Sequence, residues 1–319
     1  MKRLISAHTL KTKAYGIFRF FLLVGLGYII LYPMLYMLSM SFRDTVDIYD
    51  VSVKWIPKTF TVDNITKISN AIDYPKTLLY TLAFSIFTSL ILVFVCSMTA
   101  YGLSRFEFKG RELIFATVLL IIVVPQQFFV LPQFLRFRYF DFFGASRLIS
   151  LFTGEPATIS LLDTPLTFLL PAIFGIGIRS GLYIFIFRQF FRSMPKELEE
   201  SSAIDGCGPL KTFLVIVIPN AMPAFVTTFL FSFVWHWNDY QLSSMFLSNM
   251  RTLSAYLVNI TGYIYKSNAV NGVPTLPDTN QIMVDIQAAS FMVVVPVVII
   301  YIVLQRYFTE SIERTGLVE

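Results

Sequence analysis

The sequence has few of the residues that carry out catalysis or hold metal ions. It contains two histidines and two cysteines in 319 residues. His8 and His236 lie far from any group of suitable partners, and Cys96 and Cys207 have neither the number nor the spacing of a disulfide framework or a metal site. No glycine is followed by lysine, so the phosphate-binding loop G-x-x-x-x-G-K is absent. We therefore expect no metal site, no catalytic centre and no ATP hydrolysis by that loop.

Charged residues are also scarce, at 14%, whereas 55% of the residues are hydrophobic and 33 are phenylalanine. This composition is too apolar for a soluble domain of the same length and is typical of a multi-pass membrane protein. The net charge of +5 is not concentrated in a basic cluster with interleaved aromatic residues. We therefore expect a lipid bilayer, and no nucleic acid, as a partner.

Six apolar runs are long enough to cross a bilayer, which takes about 20 residues of helix. They cover residues 20–41, 77–103, 113–134, 166–187, 213–238 and 287–305. The fourth run contains Gly175, Gly177, Arg179 and Gly181, which favours a broken or re-entrant piece before a helix that begins near Ser180. We predict an all-α integral membrane protein with six transmembrane helices.

The distribution of Lys and Arg predicts the orientation of these spans. An even number of spans places both termini on one side. The termini, with loops 104–112 and 188–212, carry Lys and Arg more than twice as densely as loops 42–76, 135–165 and 239–286. The denser set is expected in the cytoplasm. The predicted domains are a cytoplasmic segment 1–19, a transmembrane domain 20–305 that begins with a retained signal anchor, and a cytoplasmic tail 306–319.

The three long loops on the opposite side allow two interpretations. They form either a partly structured outer face that receives a soluble partner or slack connections, and composition does not choose between these.

Neutral polar residues inside the spans are candidates for a path taken by a hydroxylated solute. They are Gln126, Gln127, Asn220, Thr227, Ser232, Trp235 and Asn238. Amides and indoles can bond hydroxyl groups and cover the apolar faces of sugars. The alternative is that the amides pack helices together and the aromatic residues form an interfacial belt, where we also expect His236. Apart from Arg179, the spans lack ionisable residues well within the core, which argues against an ion-coupled carrier.

The segment 195–224 is polar where its surroundings are apolar. Glu197, Glu199 and Glu200 fall where a helix begins and negative charge is favoured. Gly206 is placed to end that helix in a left-handed conformation, and Pro209 to begin the next one. We predict a short amphipathic helix, a glycine turn and a second helix, which together form a cytoplasmic docking element rather than a merely solvated loop.

This segment resembles the "EAA" coupling loop of ATP-binding-cassette (ABC) importer permeases, with Ser201-Ser202 where that family usually has two alanines. Further segments resemble carbohydrate-importer permeases of the maltose-permease type. They are AYGLSRF at 100–106, FRQFFRSMP at 187–195, WND at 237–239 and QRYF at 305–308.

The resemblance implies a non-catalytic permease subunit of a binding-protein-dependent importer, which moves a sugar or oligosaccharide across the cytoplasmic membrane. It implies three kinds of partner: a second homologous permease subunit, two cytoplasmic P-loop ATPase subunits and an extracytoplasmic solute-binding protein. The chain itself is expected to bind no cofactor, because the partner ATPase uses the ATP and Mg. An ion-coupled secondary carrier is the alternative.

Coupling to the ATPase is assigned to residues of the coupling loop, 193–212. They are Glu197, Glu200, Ser201, Ser202, Ala203, Asp205, Gly206 and Leu210. In this assignment Glu200 pairs with the surface of the partner, and the three small residues at 201–203 permit close packing. Asp205 fixes the turn, and Gly206 supplies its backbone conformation.

Overall fold

The computed structural model describes residues 7–141, 158–267 and 278–316, and within these ranges the chain forms helices and turns without a strand. Most of the 135–165 loop and part of the 239–286 loop therefore lie outside the described residues, as do both ends of the chain. In chain order the helices are α1 (Ala7–Ser41), α2 (Thr45–Tyr49), α3 (Asp63–Ile72), α4 (Tyr74–Arg105), α5 (Arg111–Val123), α6 (Gln127–Arg138), α7 (Leu166–Ile173), α8 (Ser180–Ser193), α9 (Glu197–Ile204), α10 (Pro209–Thr212), α11 (Ile218–Asn220), α12 (Met222–Asn238), α13 (Gln241–Phe246), α14 (Leu253–Val258), α15 (Ile260–Ser267) and α16 (Thr279–Gly316). A π-helical turn, Phe213–Val217, joins α10 to α11.

Three stretches of helix in the described ranges are long and apolar enough to cross a membrane by themselves: Tyr15–Ser41, Tyr74–Arg105 and Thr279–Gln305. They correspond to the first, second and sixth predicted runs. The apolar side chains of α1 are largely exposed, as expected for a helix that lipid surrounds.

The third and fifth predicted runs are bent rather than straight. Helices α5 and α6 meet at 100°, and the helix over Pro209–Asn220 meets α12 at 82°. Each bend lies beside a proline, Pro125 in the first case and Pro223 in the second. Proline removes a backbone donor and its ring displaces the preceding turn, so a helix bends or ends there. Counting each bent pair as one span raises the number of candidates within the described ranges to five.

The fourth predicted run, 166–187, consists of two helices with a break between them. Helix α7 ends at Ile173 and α8 begins at Ser180. The helix start predicted near Ser180 is therefore confirmed. Gly175 has φ +67° and Arg179 has φ +59°, and these left-handed conformations interrupt the helical hydrogen-bond ladder.

The chain divides into two compact units, one made of residues 1–74 and 259–295, the other of residues 75–258 and 296–319. In the first unit, Ile68 of α3 and Ile264 of α15 are buried. A polar contact joins α3 to α16, because the Lys67 ammonium lies 2.7 Å from the buried carboxylate of Asp285. Gln281 also donates to that carboxylate at 3.0 Å, so the buried charge is both paired and hydrogen-bonded.

The second unit contains the segments that carry the candidate sites. Its apolar core includes Leu92 of α4, Tyr183 and Phe187 of α8, and Phe213 of the π-helical turn. Helices α5 and α8 pack closely at Gly181, where an added Cβ would lie 2.9 Å from the Val118 carbonyl oxygen. This packing positions the start of α8 and, beyond its end, the polar hairpin of α9 and α10.

Candidate functional site

The polar segment forms a helical hairpin of α9 and α10. Helix α9 has three glutamates in its first turn and ends at Ile204. Gly206 follows with φ +76°, and Pro209 occupies the first position of α10. The predicted helix, left-handed glycine and proline start are all confirmed. Glycine adopts a positive φ without the steric cost that a Cβ brings, so Gly206 sets the turn between the two helices.

A buried hydrogen bond closes this hairpin. The hydroxyl groups of Ser202 and Thr212 lie 2.9 Å apart, and Ser202 is 4% exposed. The prediction that Ser202 packs against a partner needs correction, because its side chain faces this chain's own second helix. Ser201 and Ala203 beside it are exposed, so the close approach predicted for small residues remains available at those two positions.

A cluster of charged and aromatic residues fastens the hairpin to the end of α4. The Arg105 guanidinium lies 2.6 Å from the carboxylate of Glu199. Tyr101 donates its hydroxyl to the same carboxylate at 3.2 Å, and Arg105 also donates to the Met194 carbonyl oxygen at 3.0 Å. Glu199 was not among the predicted coupling residues, and its position three residues before Ser202 gave no signal of this long-range pairing.

A second ion pair braces the preceding helix. Arg188 of α8 is buried, and its Nη2 donates to both carboxylate oxygens of Glu112, at 2.7 and 2.9 Å. Its guanidinium carbon lies 3.7 Å from the centroid of the Phe115 ring. Charge pairing and ring stacking together hold an Arg side chain in one orientation. The end of α8 is therefore fixed against the start of α5.

The outer surface of the hairpin combines acidic, small and apolar residues. The exposed members of the predicted set are Glu197, Glu200, Ser201, Ala203, Asp205, Gly206 and Leu210. The backbone N–H of Asp205 donates to the Ser201 carbonyl oxygen at 3.1 Å. Asp205 therefore stabilises the turn through its backbone hydrogen bond. Ile204 was not predicted, although it is 87% exposed. Together with Leu210, which is 59% exposed, it gives this surface apolar area beside its acidic side chains.

The second candidate site is a cavity of about 300 Å³ in the second unit, a size at the lower end for small-molecule sites. Its wall comes from the α5–α6 bend, the α7–α8 break and the region around α13. Polar groups on this wall belong to Gln126, Gln133, Thr167, Arg179, Ser180 and His236. Aromatic side chains on it are Phe129, Phe168 and Phe246.

The predicted solute path is brought together in part. Gln126 lines the cavity. Two other predicted residues contact lining residues: the Ser232 carbonyl lies 2.8 Å from His236 Nδ1, and the Trp235 ring lies 4.4 Å beneath the Arg179 guanidinium. The remaining predicted residues, Gln127, Asn220, Thr227 and Asn238, are not on the wall of this cavity.

The prediction that His236 lies in an interfacial belt beside its two tryptophan neighbours is wrong, because its side chain is buried inside the second unit. The contact with the Ser232 carbonyl makes Nδ1–H the donor, which leaves Nε2 as the acceptor of the ring. Just beyond α12, the Asp239 carboxylate accepts hydrogen bonds from the N–H groups of Leu242 and Ser243. Burial raises the pKa of Asp239, and these hydrogen bonds oppose that rise.

The described part of the chain has no group of His, Cys, Asp and Glu placed to hold a metal ion. The first site is the exposed surface of the α9–α10 hairpin, which a partner protein can cover. The second site is the cavity, whose polar and aromatic wall can accept a small solute.

Comparison with known proteins identifies the family. A family model described as "binding-protein-dependent transport system inner membrane component" matches residues 93–314. The trehalose transport system permease protein SugB of Mycobacterium tuberculosis (strain CDC 1551 / Oshkosh) is 28% identical over 280 residues, which cover 88% of this chain and 89% of SugB. The arabinooligosaccharides transport system permease protein AraQ of Bacillus subtilis (strain 168) is 28% identical over 302 residues, 93% of either chain.

A solved structure has a similar fold. A chain in the crystal structure of a bacterial ABC transporter involved in the import of the acidic polysaccharide alginate matches with a TM-score of 0.63 and 22% identity, covering 93% of this chain and 98% of that one. The family model spans well over half of the sequence and the relatives match along most of their length. This chain belongs to the binding-protein-dependent transport system inner membrane components, the non-catalytic multi-pass subunits of ABC transporters in the cytoplasmic membrane.

Proposed function

We propose that this chain is a permease subunit of an importer for a sugar or oligosaccharide, driven by ATP hydrolysis on a separate ATPase that uses Mg. The observation that carries the proposal is the exposed hairpin surface of α9 and α10, held in place by the Arg105–Glu199 pair and the Ser202–Thr212 bond. Because these contacts hold the hairpin firmly against α4, a movement of a bound partner is transmitted to the membrane helices. The names of the relatives, which include trehalose and arabinooligosaccharide permeases, support the solute class.

The partners in this proposal are a second homologous permease subunit, two cytoplasmic P-loop ATPase subunits and an extracytoplasmic solute-binding protein. The topology has six spans, with both termini and the hairpin in the cytoplasm. The domain limits are the predicted ones, 1–19, 20–305 and 306–319, with a coupling loop at 193–212. The broken α7–α8 pair supplies the fourth span, and the two bent pairs supply the third and fifth.

The mechanism in this proposal is mechanical. Closure of the ATPase subunits moves the clefts that hold the hairpins, and rigid-body rotation of the spans opens the path to the other side. Glu200, Ser201, Ala203 and Leu210 contact the ATPase. Gly206 and Ser202 hold the shape of the hairpin. An ion-coupled carrier, the alternative, is not favoured by the family to which the chain belongs.

The test is purification of the complex in mild detergent, followed by identification of the proteins that accompany this chain. We expect a P-loop ATPase to co-purify with the unchanged chain and to be lost with Gly206→Pro, because proline fixes φ near −65° and the turn needs +76°. Glu200→Lys is expected to uncouple transport while the chain stays in the membrane.

Two variants serve as controls. Gly208→Ala changes a neighbouring glycine whose φ of −74° suits any residue, and Asp63→Lys makes a comparable charge change on an exposed residue of α3. Both should retain the ATPase. Normal uptake by Gly206→Pro and Glu200→Lys would contradict the assignment of the coupling surface, and recovery of this chain alone with ion-driven uptake would contradict the importer proposal.

A further inference from the structure

The wall of the cavity carries a net positive charge. Arg179 lies on it, and among the wall residues that the structure describes there is no Asp, Glu or Lys. The Arg guanidinium stays protonated under all physiological conditions. A solute in this cavity therefore meets a fixed cation.

Arg179 differs from Arg105 and Arg188, the two ion-paired arginines described above. Arg105 and Arg188 each lie within 2.7 Å of a carboxylate. For Arg179, no carboxylate in the described ranges lies within 4.0 Å. Its guanidinium instead lies 4.4 Å from the centroid of the Trp235 ring. A cation in an apolar membrane segment is costly unless an anion or a water-filled cavity accompanies it.

The backbone holds Arg179 at the cavity in an uncommon conformation. A non-glycine residue with positive φ is infrequent because its Cβ is strained there, and such residues cluster at ligand sites. Arg179 has φ +59°, and Gly175 before it has φ +67°. After it, the close contact of Gly181 with α5 fixes the first turn of α8. The surrounding packing therefore maintains the backbone of Arg179 at the edge of the cavity, and the exposed side chain is accessible to a solute.

The rest of the wall suits a hydroxylated ring. Gln126 and Gln133 bring amides that can donate to and accept from hydroxyl groups, and His236 retains an acceptor nitrogen. Phe129 and Phe246 present aromatic surface for apolar sugar faces.

We propose that Arg179 binds the carboxylate of an acidic sugar, so that this cavity takes a uronate unit of an oligosaccharide during its passage. The inference rests on the proposed function and narrows its solute class. The guanidinium presents two parallel N–H groups to the carboxylate, and the opposite charges make these hydrogen bonds stronger than those to the hydroxyl groups of a neutral sugar. The Trp235 ring, whose centroid lies 4.4 Å from the guanidinium carbon, also stabilises this cation.

The test compares uptake of two solutes of the same shape, trigalacturonate and its fully methyl-esterified form, by the complete transporter in proteoliposomes. In Arg179→Gln we expect the ATP-dependent uptake of trigalacturonate to fall at least tenfold, while uptake of the methyl ester stays within twofold of its unchanged value. Arg179→Lys keeps the charge without the two parallel donors and should restore part of the trigalacturonate uptake. Each variant is compared with the unchanged chain using the same binding protein, so the selectivity of that protein cancels.

The matched control is Arg138→Gln. Arg138 is exposed and lies over the Tyr139 ring with its guanidinium carbon 5.8 Å from the ring centroid, and it is not on the cavity wall. This variant should transport both solutes normally. Co-purification of the ATPase shows that each variant assembles.

The other outcomes contradict the inference. An equal loss of both solutes in Arg179→Gln would mean that Arg179 pairs with a partner subunit or a lipid phosphate and holds the assembly together. Unchanged uptake of trigalacturonate, or no uptake of either solute by the unchanged transporter, would exclude an acidic sugar at this site. The importer proposal is judged separately, by recovery of the ATPase and uptake of neutral oligosaccharides.

Discussion

Glu199 is paired with Arg105 and Tyr101, whereas Glu197 and Glu200 on the same short helix are exposed. All three favour the start of α9 through their negative charge. Only their surroundings in the folded chain distinguish them. Glu199 joins the hairpin to α4, and the other two remain free for a partner.

We expect Glu199→Ala to lower the unfolding temperature of the detergent-solubilised chain. The change leaves the Arg105 side chain, 7% exposed, without its carboxylate. Loss of one partner from a fully buried ion pair costs about 3–5 kcal/mol, and partial exposure of Glu199 reduces this to roughly 1–3 kcal/mol. The measurement is thermal unfolding followed by a thiol-reactive or intrinsic fluorescence signal.

Glu197→Ala is the matched control, since it removes an acidic side chain from the same turn without breaking a pair. It should unfold within about a degree of the unchanged chain, because exposed substitutions typically change stability by less than about 0.5 kcal/mol. Equal unfolding temperatures for the two variants would show that the Arg105–Glu199 pair does not stabilise the hairpin.

At the level of elements, the broken span of α7 and α8 depends on close packing against α5. Gly181 allows this approach, since an added Cβ would lie 2.9 Å from the Val118 carbonyl oxygen and 3.0 Å from Ile122 Cγ1. The Val118 carbonyl oxygen belongs to the backbone of α5, so it cannot move away from the added Cβ unless α5 itself shifts. The glycine therefore fixes the distance between the two helices and, with it, the position of Arg179.

Gly181→Ala is expected to destabilise the second unit by about 1–3 kcal/mol, the usual cost of inserting a methyl group into a packed interior. Thermal unfolding of the purified chain measures this. Gly102→Ala is the control, because an added Cβ at Gly102 in α4 meets no atom within 4 Å and alanine favours a helix by about 1 kcal/mol over glycine. A Gly181→Ala variant as stable as Gly102→Ala would rule out the close contact.

Across the whole molecule, the local sequence predicts where helices begin and where turns form. The start of α8 at Ser180, the turn at Gly206 and the start of α10 at Pro209 were predicted because glycine, proline and end charges act on the nearest few backbone bonds. The bend angles of 100° and 82° were beyond prediction, because packing against distant helices sets them.

Contacts between distant segments were not predictable in the same way. Glu199 reaches Arg105, and Trp235 lies beneath Arg179, although nothing in the local spacing of either pair marks them as neighbours. The same limit applies to the solute path, where the sequence identified neutral polar residues but the cavity takes its charge from Arg179. The sequence could indicate which types of residue suit a solute path. The tertiary fold determines which of those residues lie together at the cavity.

The orientation of the whole chain can be tested with its own cysteines. Cys207 lies in the hairpin and is half-buried, while Cys96 is buried in α4. A membrane-impermeant maleimide reacts with accessible thiolates. If the hairpin is cytoplasmic, the reagent should label Cys207 in inside-out vesicles and leave right-side-out vesicles unlabelled, with Cys207→Ser as the background.

The converse variant combines Cys207→Ser with Ser248→Cys, because Ser248 is exposed in the loop predicted to lie outside. It should label with the opposite preference. Labelling of both positions from the same side would contradict six spans with a cytoplasmic hairpin, since an odd number of crossings must separate the two.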